Sequence, residues 1–169
     1  STAATSGGRH TAVGFHALRD LTSGLYNTAF GGEAIENATS GSYNIGVGTF
    51  ALRTLTTGSN NNAMGYQAGY FNNNSNNVFI GHQSGYNSTG SGNTIIGEEA
   101  GFTQTSSNVN TMLGQRAGYA ATGTSLTMLG RAAGQNATSG NSNVIIGNDA
   151  GENMSSGGSN QYIGVTAGQ

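Results

Sequence analysis

The sequence predicts an all-β chain: a parallel β-solenoid of ten coils that forms a single repeat domain over residues 1–169. Three observations predict it. First, a glycine that follows an apolar residue and precedes x-x-Ala recurs at Gly14, Gly31, Gly48, Gly65, Gly81, Gly97, Gly114, Gly130, Gly147 and Gly164, always 16 or 17 residues apart. Second, the residue before that anchor glycine is apolar in every unit, from Val13 and Phe30 to Ile146 and Ile163. Third, the chain has 30 Gly and no Pro, as expected where a proline would delete a ladder donor in nearly every coil.

Each element of the unit has its own reason. Asn stands four residues before the anchor, with His10 and Leu126 as the exceptions, and a stacked column of it can form an amide ladder. The short aliphatic or β-branched run that follows reads as a strand. The anchor glycine supplies a bend with positive φ. Three residues later Ala, or Ser84 once, lets opposite walls approach. Signals such as "TSG", "TTG" and "STG" then close the unit with a turn. Units this short are too small for helix pairs or propeller blades and suit one solenoid coil. Ten coils at roughly 4.8 Å predict a rod of about 48 Å.

Stacking makes residues of successive units neighbours. One column reads Arg19, Glu36, Arg53, and Glu99 and Arg116 form a second pair, an alternation of sign that makes sense only if consecutive coils touch.

A strand shows alternate residues to opposite faces, so each unit has two apolar columns on opposite sides. A thin coil buries one. The column at the strand centre is bulky from Phe79 onward, and it is the one expected outside, as an oligomer interface of Phe79, Ile95, Met112, Met128, Ile145 and Tyr162. A parallel homotrimer buries such a stripe by symmetry.

Composition excludes several functions. Only 7% of residues are charged and the net charge is −2, so five scattered arginines attract neither nucleic acid nor an anionic membrane. With no Cys, disulfides and Cys-based zinc sites are ruled out. No apolar run is long enough for membrane insertion. Neither catalytic nor metal residues are expected, nor any cofactor. His10, His16 and His82 lack a nucleophilic or acidic context. Glu33 and Glu36, and Glu98 and Glu99, are not spaced as a glycosidase pair. Asp20 and Asp149 are too few for a calcium-binding nonapeptide array.

The stretches "NTAFGGEAIENATSGSYN" and "NNAMGYQAGY" resemble repeats of phage tail fibres and bacterial surface proteins, and are similar to the head repeats of trimeric autotransporter adhesins. The resemblance covers all ten units through the pattern N-x-x-[apolar]-G-x-x-A, although the adhesin-head unit is shorter. It implies a left-handed roll, a homotrimer, and an extracellular or virion-borne attachment fibre whose partners are itself and a cell-surface glycan or receptor. The I-G-x-x-A fragment is also similar to hexapeptide acyltransferases, but only one such hexad occurs per coil, which leaves that activity a remote alternative.

The best candidates for a receptor-binding surface are Tyr70, Tyr86, Phe102 and Tyr119, a row of rings five residues after consecutive anchors, flanked by Gln67, Gln83 and Arg116. Units one to three carry Leu18, Ile35 and Leu52 one position earlier, where later units have Gly, so the rings either take over an aliphatic packing job or contact a ligand. A rival function is ice binding by a threonine column at Thr22, Thr39, Thr57, Thr89, Thr122 and Thr138.

Overall fold

A computed structural model describes residues 8–105, 107–137 and 140–168. Its ten strands are β1 (Thr11–Val13), β2 (Thr28–Phe30), β3 (Ile45–Val47), β4 (Asn62–Met64), β5 (Val78–Ile80), β6 (Thr94–Ile96), β7 (Thr111–Leu113), β8 (Thr127–Leu129), β9 (Val144–Ile146) and β10 (Gln161–Ile163). They form one parallel sheet in sequential order. Strand-centre residue pairs with strand-centre residue throughout, Ala29 with Gly46 and Ile95 with Met112 for example. Coil n is the turn of chain that begins with strand βn. Among the described residues none is helical. The chain is therefore an all-β parallel β-solenoid in the predicted register.

The ladder does not stop at the strands. Ile35, Leu52, Gly69 and Gly85 donate backbone N–H groups to Ala51, Ala68, Ser84 and Ala100 of the next coil at 2.8–3.0 Å. Hydrogen bonds between coils hold corners that ordinary residues would avoid. Two residues after each anchor the backbone is left-handed, and no glycine stands there: Glu33, Gln67, Glu99 and Arg116 have φ of 52–57°. Such a conformation costs about 1–2 kcal/mol for a non-glycine residue. The N–H groups of these four residues bond the preceding coil, at Phe15, Thr49, His82 and Glu98, over 2.7–3.0 Å, which offsets that cost. Sequence reasoning assigned positive φ to glycines alone, because the stacked partners that make it tolerable are 16 or 17 residues away.

The asparagine column faces inward. Asn44 Nδ2 donates to Asn27 Oδ1 at 3.1 Å and to Gly58 O at 2.9 Å, and the next coil's Asn61 N–H donates to Asn44 Oδ1 at 3.0 Å. Asn27, Asn44, Asn61, Asn77 and Asn93 are fully buried, and this ladder satisfies their polar groups. His10 takes the same place just before β1, with Nδ1 accepting from Asn27 N–H at 3.2 Å. Leu126 has no amide and interrupts the ladder.

One consequence overturns the expected interface. Along a strand, residues two apart share a face, so the strand centre, two residues after the inward Asn, must also point in. Phe79, Ile95, Met112, Met128 and Ile145 are all 0% exposed in a single chain, and Tyr162 packs partly buried against the same core. They are the interior of the coil. The outward apolar column is the other one: Val13, Phe30, Val47, Met64, Ile80, Ile96, Leu113, Leu129, Ile146 and Ile163.

The core is filled from two sides in turn. In coils 1–3 the strand centres are small (Ala12, Ala29, Gly46) and Leu18, Ile35 and Leu52 reach in from the opposite bend. From coil 5 onward the strand centres are large and that bend is glycine. Space permits only one of the two. A Cβ on Gly46 would lie 2.7 Å from Ile35 Cγ1, and one on Gly85 would lie 2.2 Å from Phe79 Cδ1.

Candidate functional site

The structure brings all seven candidate binding residues onto one outward face. The rings form a continuous stack: Tyr70 and Tyr86 have centroids 5.3 Å apart, Tyr86 and Phe102 5.0 Å, and Phe102 and Tyr119 5.2 Å, with interplanar angles of 22°, 7° and 8°. Beside them Gln83 Nε2 donates to Gln67 Oε1 at 2.8 Å. The Arg53 guanidinium lies 5.8 Å from the Tyr70 centroid and donates to its hydroxyl at 2.6 Å, while Arg116 lies 4.7 Å over Tyr119. The inner ring faces are thus occupied by one another, and both end rings carry a cation. The Tyr86 and Tyr119 hydroxyls, the outer ring edges, and the Gln67 Nε2 and Gln83 Oε1 halves of the amide pair remain to meet a ligand. The job once done by Leu18, Ile35 and Leu52 passes to the strand centres, not to these half-buried rings.

Replacing Tyr86 and Tyr119 together by Ser removes three stacking contacts and a cation–π contact. A loss of about 2–3 kcal/mol is expected from contacts of about 0.5–1.5 kcal/mol each, read as a lower midpoint in urea unfolding. An unchanged midpoint would mean that the rings are not packing elements.

The ring column continues downward as the ionic column. Glu36, buried and only 1% exposed, accepts from Arg19 Nη1 and, at 2.9 Å, from Arg53 Nε, with His16 Nδ1 3.3 Å away. Arg53 Nε also meets Glu33 at 2.8 Å. The hydrogen bond from Arg19 holds the Asp20 carboxyl below the usual carboxylate range. Arg116 and Glu99 pair at 3.5 Å. These contacts bear out the alternation of sign read from the sequence.

Other candidate chemistry does not converge. His82 stacks on Tyr66 at 5.5 Å, His10 serves the asparagine ladder, and His16 the Glu36 cluster. Glu98 accepts from Gln115 at 2.8 Å. Among the described residues there is no group of three His, Cys, Asp or Glu fit to hold a metal, and no helix long and apolar enough to cross a membrane.

The turn threonines are backbone partners. Thr22 Oγ1 donates to Thr39 O at 2.8 Å, and Thr39 Oγ1 to Thr56 O at 3.2 Å. The column therefore runs through Thr56, one residue before the expected Thr57, and Thr138 lies outside the described residues.

Sequence reasoning missed the outer face of the sheet. The first and third residues of all ten strands point outward, and none is charged. Phe30 is 55% exposed, Met64 54% and Leu113 45%. Threonines stand in the partner column at Thr11, Thr28, Thr94, Thr111 and Thr127. The missed signal was alternation: an inward Asn puts the residue before the anchor on the outside. Set against known proteins, the chain matches no family model, no curated protein and no solved structure.

Proposed function

We propose that this chain is a non-enzymatic structural shaft, a segment of a trimeric extracellular or virion-borne attachment fibre whose copies associate through the outer face of the sheet. The observation that carries the reading is that face: uncharged along every strand and lined from end to end by exposed or half-exposed apolar side chains, Phe30 among them. Three-residue strands at ~3.3 Å per residue make it about 48 Å by about 10 Å, roughly 480 Å² per chain in projection, a modest area beside the ~800 Å² per partner of a standard-size interface. Exposed apolar surface of that extent marks an interaction site. Stiffness suits the role, since backbone hydrogen bonds join successive coils along the rod, with the asparagine ladder beside them except at Leu126. The fibre's glycan or receptor would meet the tyrosine edges and the Gln67–Gln83 amides on the opposite side of the anchor bend.

Light scattering tests the assembly. The wild type is expected as an oligomer, and Leu113→Asp with Leu129→Asp is expected to give monomers with an unchanged far-UV spectrum, because both side chains point away from the coil. A monomeric wild type removes the reading.

A second reading, ice binding, draws support from the same face, where Thr94, Thr111 and Thr127 alternate with Ile96, Leu113 and Leu129 on consecutive strands. A rigid array of hydroxyl and methyl groups at fixed spacing can order water. It requires a free face, hence a monomer with thermal hysteresis that Thr111→Lys abolishes.

A further inference from the structure

We propose that the fourth coil is a weak rung at which the rod opens first, dividing it into two blocks that hold together more strongly than they hold each other. Coil 4 turns Ala63, Ala68, Gly69 and Asn72 into the interior, and no apolar side chain larger than alanine. Coil 3 brings Leu52 and Leu55, and coil 5 brings Phe79. The filling at coil 4 comes from these neighbours: a Cβ on Gly69 would lie 2.9 Å from Leu52 Cδ2 and 2.5 Å from Phe79 Cδ2.

This is the level at which the core changes sides, from bend residues below to strand-centre residues above. The column that holds Leu21, Ala38 and Leu55 turns polar at this coil, with Asn72 and then Ser88 and Gln104, and the side-chain bonds of Asn72 to Asn74 and Asn77 are all long, at 3.3 Å. On the outside the surface dips at the same level, with Ile45, Asn62, Met64 and Ile80 around a depression floored by Ala63. In a linear array each unit is stabilised only by itself and its two neighbours. The unit that buries the least apolar surface of its own is therefore where local opening is easiest. For a rod under load it is also the place that yields.

Hydrogen exchange on the intact chain tests this. The backbone amides of Gly65, Ala68 and Gly69 all donate between or within coils. They are expected to exchange about tenfold faster than the equivalent amides of Gly48, Ala51 and Leu52 in coil 3 and of Gly97, Ala100 and Gly101 in coil 6. Asn72→Leu, which restores the residue type of Leu21 and Leu55, is expected to slow coil-4 exchange to the level of its neighbours. Protection in coil 4 equal to that of coils 3 and 6, or a smooth rise from the ends to the middle, overturns the proposal. So does an Asn72→Leu chain that folds yet leaves coil-4 exchange unchanged.

Discussion

Ile95→Asp is expected to unfold the chain, not merely to separate its copies. Ile95 is fully buried between Phe79 and Met112 in a column with no charged group, and a Cβ on Gly101 across the core would already lie 2.9 Å from its Cδ1. An aspartate there finds no cation and no route to water, only the neutral amide of the buried Gln104 nearby. Burying an unpaired carboxylate costs at least ~5 kcal/mol after the side chain's own apolar burial is lost. That is comparable to the whole stability of a small domain. Far-UV circular dichroism should lose its β signal at 25 °C, whereas Leu113→Asp, pointing outward one coil away, should keep it. If Ile95→Asp stays folded and only its mass falls, the strand centre faces a partner and the inward orientation is wrong.

Gly97→Ala and Gly92→Asn are expected to differ by several kcal/mol, although both replace a glycine of positive φ in coils 5 and 6. Gly97 is an anchor with φ 136°, a region that only glycine occupies freely, and its Cβ would sit 2.3 Å from Gly114 O. Backbone cannot give way there without breaking the ladder of the next coil, so a loss on the order of 3–5 kcal/mol is expected. Gly92 has φ 71°, its nearest neighbours would be 3.7 Å away, and its column already holds Asn76 at φ 65° and Val109 at φ 58°. Its replacement should stay within about 0.5 kcal/mol. Urea midpoints of the two variants decide the matter. Equal midpoints would mean that the anchor bend adapts and is not what spaces the coils.

The sequence determined the repeat, the coil length, the parallel register and the contact of Arg19, Glu36 and Arg53, because each follows from a period that any stacked chain must respect. It also encodes which side fills the core. Small strand centres at Ala12, Ala29 and Gly46 coincide with Leu18, Ile35 and Leu52, and large ones from Phe79 onward coincide with glycine, which is a statement that the two columns face each other. The side of the sheet was legible too, had the asparagine two residues before the strand centre been taken as an inward group.

What only the tertiary structure decided is how the side chains use the stack. That the rings of Tyr70, Tyr86, Phe102 and Tyr119 lie face to face, with Arg53 and Arg116 at the end rings, depends on rotamers that neighbouring coils select. Left-handed corners at Glu33, Gln67 and Arg116 depend on hydrogen bonds from residues a full coil away. Both are cooperative properties of adjacent coils, and a single coil, lacking its neighbour, has neither.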